Sequence, residues 1–190
     1  IGTSAGGVAL NAGSLTLAGS NTFTRGVTIN GGQLNINNAS ALGTGTLIIA
    51  TGSNAVLDNT SGSSLASLSA NRQNWNSDFT YVGSNSLGLG AGSVSISADR
   101  VVTVSGGSLG VGGVISGPGF TLTKAGAGTL TLSGNIVTGT GAGVALNNGT
   151  LTLAGSNSFT RGVTINAGQL NINNASALGS GTLIIAGGSN

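Results

Sequence analysis

Residues Leu15–Ile36 read LTLAGSNTFTRGVTINGGQLNI. Leu15 and Leu17 alternate with Ser14 and Thr16, Val27 and Ile29 flank Thr28, and Leu34 and Ile36 flank Asn35. Apolar residues at every second position mark short strands with one face buried and one face wet. Glycines stand between them at Gly13, Gly19, Gly26 and Gly31–Gly32. These supply turns, where a positive φ costs glycine little. The alternation returns at Val94/Ile96, Val102/Val104 and Leu130/Leu132. No segment has a helical apolar period, and Gly, Asn, Thr and Ser disfavour helix interiors. The chain is expected to be all-β.

Outward from this stretch lies a long repeat, which decides architecture before any local feature. Val8–Asn54 returns as Val144–Asn190, 136 residues on. Six of the 47 positions differ: Ala12/Asn148, Ser14/Thr150, Thr22/Ser158, Gly31/Ala167, Thr44/Ser180 and Thr51/Gly187. All six exchange small or polar residues, and no Leu, Ile, Val or Phe changes. The expected organisation is one full unit over 1–136 and the first part of the next over 137–190, in a single continuous body. The chain reads as an interior piece of something longer, so a leader peptide is not looked for.

Many short strands with a long repeat fit either a sandwich or barrel, or a parallel β-solenoid. The interior residues are small and alike (Leu, Ile, Val), as stacked rows in a narrow lumen require. Aromatic residues are 3%, too few to fill a wide sandwich. Asparagine-rich turns such as Asn35–Asn38 are suited to side-chain ladders between coils. The expectation is a β-solenoid of about 20 residues per coil, rising roughly 30 Å per unit with strands ~4.8 Å apart.

Composition narrows function. The chain has 37 glycines and 25 serines, yet Leu, Ile, Val and Phe number 50, above the roughly 20% that marks disordered compositions. Arg25, Arg72, Arg100, Lys124 and Arg161 stand against Asp58, Asp78 and Asp99, a net charge of +2. Such sparse charge gives no footprint for nucleic acid or an anionic membrane. With neither Cys nor His, zinc, haem and iron–sulfur sites lack their usual ligands, and a hydroxyl or thiol nucleophile lacks its base. No cofactor or metal is expected, and disulfides are excluded. The longest aliphatic run, Leu47–Ala50, is far short of the ~20 residues of a membrane helix, so no membrane insertion of this segment is expected.

Four patterns invite sharper chemistry. Asp58, Asp78 and Asp99 recur at close to one coil, so a β-helix would stack them. Gathered carboxylates would serve a polysaccharide lyase or hydrolase, or hold Ca²⁺. Each also sits in a turn-like context, where Asp bonds local backbone. Arg72, Trp75, Phe79 and Tyr81 form the aromatic cluster. An exposed Trp75 and Tyr81 beside Arg72 would make a glycan-binding adhesin. The plainer alternative has Phe79 and Tyr81 sharing one inward strand face, with Trp75 covering a wider coil. Thr-x-Thr triplets at Thr22–Thr24, Thr121–Thr123, Thr129–Thr131 and Thr150–Thr152 suggest an ice-ordering array, although Thr is also a common outward strand residue. The glycine pairs Gly6–Gly7, Gly31–Gly32 and Gly112–Gly113 lack the Gly-Lys-Ser/Thr of a phosphate loop.

The stretch Gly117–Gly134, GPGFTLTKAGAGTLTLSG, resembles the autotransporter passenger-associated β-strand repeat. Leu151–Gly168 with Gln169–Ile172 resembles the body of that repeat, and Leu15–Ile36 is its match in the first copy. The family pattern is a glycine-bounded Leu-Thr-Leu strand, then Gly-x-Asn-x-aromatic-Thr-Gly-Gly, then Thr-x-x-x-Gly-x-Leu. The aromatic slot is Phe23 and Phe159. Arg25 and Arg161 replace the first paired glycine, a departure that places a guanidinium on the outer surface. Asn71–Val111 resembles the intervening segments of long bacterial surface proteins. The resemblance implies a right-handed parallel β-helix in a passenger exported to the cell surface. The reading is a structural module, a rigid rod or fibre for display or adhesion. Its expected partners are neighbouring copies of the repeat, surface glycans, or like chains in a filament.

Overall fold

The computed structural model describes residues 5–186. The chain opens with β1 (Val8–Leu10), β2 (Ser14–Leu17), β3 (Val27–Ile29), β4 (Gln33–Ile36), β5 (Leu47–Ile49) and β6 (Ala55–Asp58). It continues through β7 (Gln73–Trp75), β8 (Phe79–Tyr81), β9 (Leu87–Gly88), β10 (Val94–Ile96), β11 (Arg100–Val104) and β12 (Ser108–Val111). Next come β13 (Ile115–Ser116), β14 (Leu122–Ala125), β15 (Thr129–Leu132), β16 (Ile136–Val137) and β17 (Gly143–Leu146). It closes with β18 (Thr150–Leu153), β19 (Gly162–Ile165), β20 (Gln169–Ile172) and β21 (Thr182–Ile185). Among the described residues there is no helix.

These strands form three sheets. The first is ordered β1-β3-β5-β7-β10-β13-β16, the second β2-β4-β6-β8-β11-β14-β17-β19-β21, and the third β20-β18-β15-β12-β9. Neighbouring strands run parallel, and the chain visits the sheets in rotation. The fold is a parallel β-solenoid of about eight coils, roughly 21 residues each. Val8 lies beside Val27, Leu47 beside Gln73 and Val94 beside Ile115, advances of 19, 26 and 21 residues.

The alternation is realised as read. Val27, Ile29, Leu34, Ile36, Leu47 and Ile49 point into the lumen and are buried, while Thr28 and Ile48 between them face out. Each inward side chain is roofed by its register partner, and burying one contributes about 1.5–3 kcal/mol. In the first coils the third side carries no strand. Residues 18–26 and 37–46 close it, with Phe23, Ala41 and Leu42 filling the lumen.

The two copies keep their local bonds. The Asn21 amide donates to the Ala41 carbonyl at 2.7 Å, and Asn157 to Ala177 at 2.6 Å. Asn30 donates to Asn11 Oδ1 at 2.7 Å, and Asn166 to Asn147 at 2.7 Å. Their places differ. β1, β3 and β5 lie in the first sheet, whereas their counterparts β17, β19 and β21 lie in the second. β2 and β4 lie in the second sheet, and their counterparts β18 and β20 in the third. The unit therefore spans the six steps from β1 to β16 plus one face. The join between residues 136 and 137 falls inside β16.

Candidate functional site

The widest coil runs between β5 and β7, and its lumen holds the aromatic cluster. Trp75 is in register with Ile49 and Ile96, and Tyr81 with Leu57 and Val104, so both rings point inward. Each is fully buried. The Trp75 indole N–H donates to Gln73 Oε1 at 3.2 Å, and the Gln73 amide donates to the Leu89 carbonyl at 3.2 Å. Trp75 and Phe79 meet edge to face, centroids 5.1 Å apart, a geometry favoured by ring quadrupoles. Phe79 faces the small Ala55 of the coil beneath. The Tyr81 hydroxyl donates to the Asn85 carbonyl. Burial, and then the Asp58 charge, raises the phenol well above its ordinary value.

The expected glycan platform is thus corrected. Trp75 and Tyr81 line the core and offer no ring face to a sugar; of the three residues only Arg72 is exposed. The alternation Gln73-x-Trp75 and Phe79-x-Tyr81 already carries this inward phase.

The aspartates do not converge. Asp58, at the end of β6, is buried and accepts from Asn59 N at 2.9 Å, Ser84 N at 3.0 Å and Ser84 Oγ at 2.6 Å. It ties one coil to the next where the chain leaves the second sheet. Asp78 and Asp99 stand where the chain enters that sheet, just before β8 and β11. Asp78 Oδ1 accepts Val101 N at 2.9 Å, and Asp99 Oδ1 accepts Thr121 N at 2.8 Å. Two of the three therefore stack on one corner and the third on another. Each carboxylate binds backbone of the following coil, so the three serve as ties between coils, and only Asp58, through Asn59 N, also makes the local bond favoured for turn aspartates. The stacking expected for a polysaccharide enzyme is not formed. Among the described residues no three metal-ligating side chains come together.

Arginines sit at the corners. Arg100 donates to the carbonyls of Trp75 at 2.8 Å, Asn76 at 2.9 Å and Asp99 at 2.9 Å, clamping two coils. Arg25 and Arg161 are exposed, as the departure from the family pattern led us to expect. Their stems lie over Gly7 and Gly143, where a Cβ would come within 2.8 and 3.1 Å of them. The threonines face outward in part as an array: Thr129 and Thr131 lie beside Thr150 and Thr152. The array ends there, with Ser108 and Gly110 on one side and Gln169 and Asn171 on the other. A surface depression of about 410 Å³ is lined by Ser95, Ser116, Pro118, Val137 and Thr138, without a titratable group.

One charged residue escaped the sequence reading. Lys124 points into the lumen beside Val102 and Leu146 and is 1% exposed. Its Nζ donates to the carbonyls of Ala125 at 2.8 Å, Gly126 at 2.7 Å and Asn148 at 3.1 Å. Burial pushes the amine down to about 8, since desolvation disfavours the charged form. The signal was present: in Thr121-Leu122-Thr123-Lys124 the lysine shares the inward phase of Leu122.

These elements make coil-to-coil stacking the dominant feature of the surface and the lumen alike. Three stretches of the chain, residues 8–36, 122–150 and 144–172, match the passenger-associated-transport-repeat family. These three stretches carry the passenger-associated transport repeat. The first and third matches are the two copies, β1–β4 and β17–β20, and the second runs from β14 to the start of β18. Each repeat thus covers one coil and the first two sides of the next. Asn71–Val111 lies outside the matches. Neither the curated proteins nor the solved structures contain a match to the chain. Repeat and fold together describe a structural passenger module.

Proposed function

We propose that the module is a rigid spacer in a bacterial surface or secreted passenger, extending and displaying what it is joined to. The observation that supports this reading is the uninterrupted stacking of parallel coils: β16 and β17 continue the ladders across the join between units. Each coil shields mainly its neighbours, so length grows with coil number while the cross-section is kept. The partners in this reading are adjoining repeats in the same polypeptide, with end-to-end contact between chains as the alternative wherever a sheet end is left unpaired.

The test is immunogold labelling of intact producing cells with antibodies raised against this chain. Label on unpermeabilised cells, spaced away from the envelope, is the expected result. Label that appears only after permeabilisation would sink the proposal.

A further inference from the structure

The chain contains two Asn-Gly pairs, Asn30–Gly31 and Asn148–Gly149, and the fold treats them oppositely. Neither is an Asn-Gly pair in the other copy: Asn30–Gly31 corresponds to Asn166–Ala167, and Asn148–Gly149 to Ala12–Gly13. In the first pair the Asn30 amide is held by Asn11 Oδ1 at 2.7 Å, and Gly31 N donates to the Leu10 carbonyl at 3.2 Å. Both reacting groups are engaged by the coil beneath.

In the second pair Gly149 N donates to Asn148 Oδ1 at 2.7 Å, which brings the nitrogen next to the side-chain carbonyl carbon. Asn148 is exposed, so water reaches it. The carbonyl of the same Asn148–Gly149 peptide accepts the Lys124 ammonium at 3.1 Å. When Gly149 N loses its proton, negative charge develops on that carbonyl oxygen. A cation already in place there stabilises it as a preorganised donor does any developing oxyanion.

We propose that Asn148–Gly149 is a self-modifying site, at which Lys124 promotes closure of the asparagine side chain onto the following backbone nitrogen. Gly149 N, deprotonated by solvent base, attacks Asn148 Cγ. The new C–N bond forms, the Cγ–Nδ2 bond breaks, and ammonia leaves to give a succinimide. Water then opens either ring carbonyl, leaving aspartate or isoaspartate at 148. The balance is one water consumed and one ammonia released. The product puts a carboxylate on the residue whose backbone carbonyl accepts the Lys124 ammonium.

The test is peptide mapping by mass spectrometry after incubation of the folded chain at neutral pH, where Lys124 keeps its proton, with Asn30 as the internal reference. In the folded chain Asn148 should convert at least about tenfold faster than Asn30, a modest share of what one oxyanion donor supplies. In the urea-denatured chain the two should convert at similar rates. Lys124→Met should slow Asn148 while leaving Asn30 unchanged, and Asn148→Ala, the residue of the first copy, should abolish the modification. Equal folded rates at the two sites would overturn the proposal. So would an unchanged ratio of the two rates in Lys124→Met shown folded by its circular dichroism. If that variant does not fold, the folded-to-denatured comparison in the unmodified chain decides alone.

Discussion

Residues 8–50 and their near copy, residues 144–186, fold alike and are placed differently. Strands that lie in the first and second sheets in one copy lie in the second and third in the other. Burial diverges too. Ile49 is 0% exposed and its counterpart Ile185 is 63%, because β7 covers the first and no described coil covers the second. The difference separates what the repeated residues determine from what they do not. They determine which side chains point inward, where the chain turns, and which residue stacks on which. They do not determine the face, because the lumen is lined with Leu, Ile and Val on every side. The face follows from the length and coil widths of the whole unit.

The sharpest way to break this equivalence is at a glycine that both copies require. Gly26 and Gly162 have φ of +78° and +88°, and a Cβ on either would lie 2.0 Å from the carbonyl oxygen of Thr46 or Thr182. Gly26→Ala should open the stack between its second and third coils and cost more than ~4 kcal/mol, since clash and backbone strain combine. Gly162→Ala should free only the last coil. Hydrogen exchange should show loss of protection from β3 to β8 in the first variant and confined to β19–β21 in the second. Equal, local effects would contradict the stacking account.

The buried and exposed isoleucines give the next largest contrast. Ile49→Ala should cost about 2–5 kcal/mol by cavity formation. Ile185→Ala should cost less than about 1 kcal/mol, because the side chain is mostly in water. Denaturant midpoints of the two variants measure the difference. Similar losses would mean that Ile185 is covered in solution.

The smallest effect is a pH dependence that belongs to the coils between the two copies. Lys124 has a folded value near 8, below its ordinary 10.5. Between these the unfolded chain holds a proton that the folded chain has released, so stability rises with pH. Tyr81 acts in the opposite sense. Its phenol is raised above the ordinary 10.0, first by burial and then by the Asp58 charge. Above pH 10 the unfolded tyrosine ionises while the folded one keeps its proton, and stability falls. A urea midpoint that climbs above pH 8 and turns over near pH 10 is expected. Lys124→Met should remove the climb and Tyr81→Phe the fall.

Much of this was legible in the residues themselves. Period-two alternation located β2, β3, β4, β10, β11 and β15, and the repeat together with sparse aromatics pointed to a solenoid. The inward phase of Trp75 and Tyr81 was also written in the alternation, and it outweighs the chemistry that their side chains suggest. Other features depend on contacts between coils, which spacing alone does not reveal. Asp58, Asp78 and Asp99 recur near one coil length, but coils of 19 to 26 residues carry that spacing around a corner. Lys124 is tolerated in an apolar row because three carbonyls, one of them from the next coil, happen to converge on it.

The rotation of one copy against the other is tested most directly by disulfide formation in this cysteine-free chain. Thr152 of β18 lies beside Thr131 of β15 in the third sheet, within the Cα separation that a disulfide spans. Were the second copy placed as the first is, β18 would lie in the second sheet, near Thr123 of β14. The pair Thr131→Cys with Thr152→Cys should oxidise readily in the folded chain, and Thr123→Cys with Thr152→Cys should not. The reverse pattern would contradict the account.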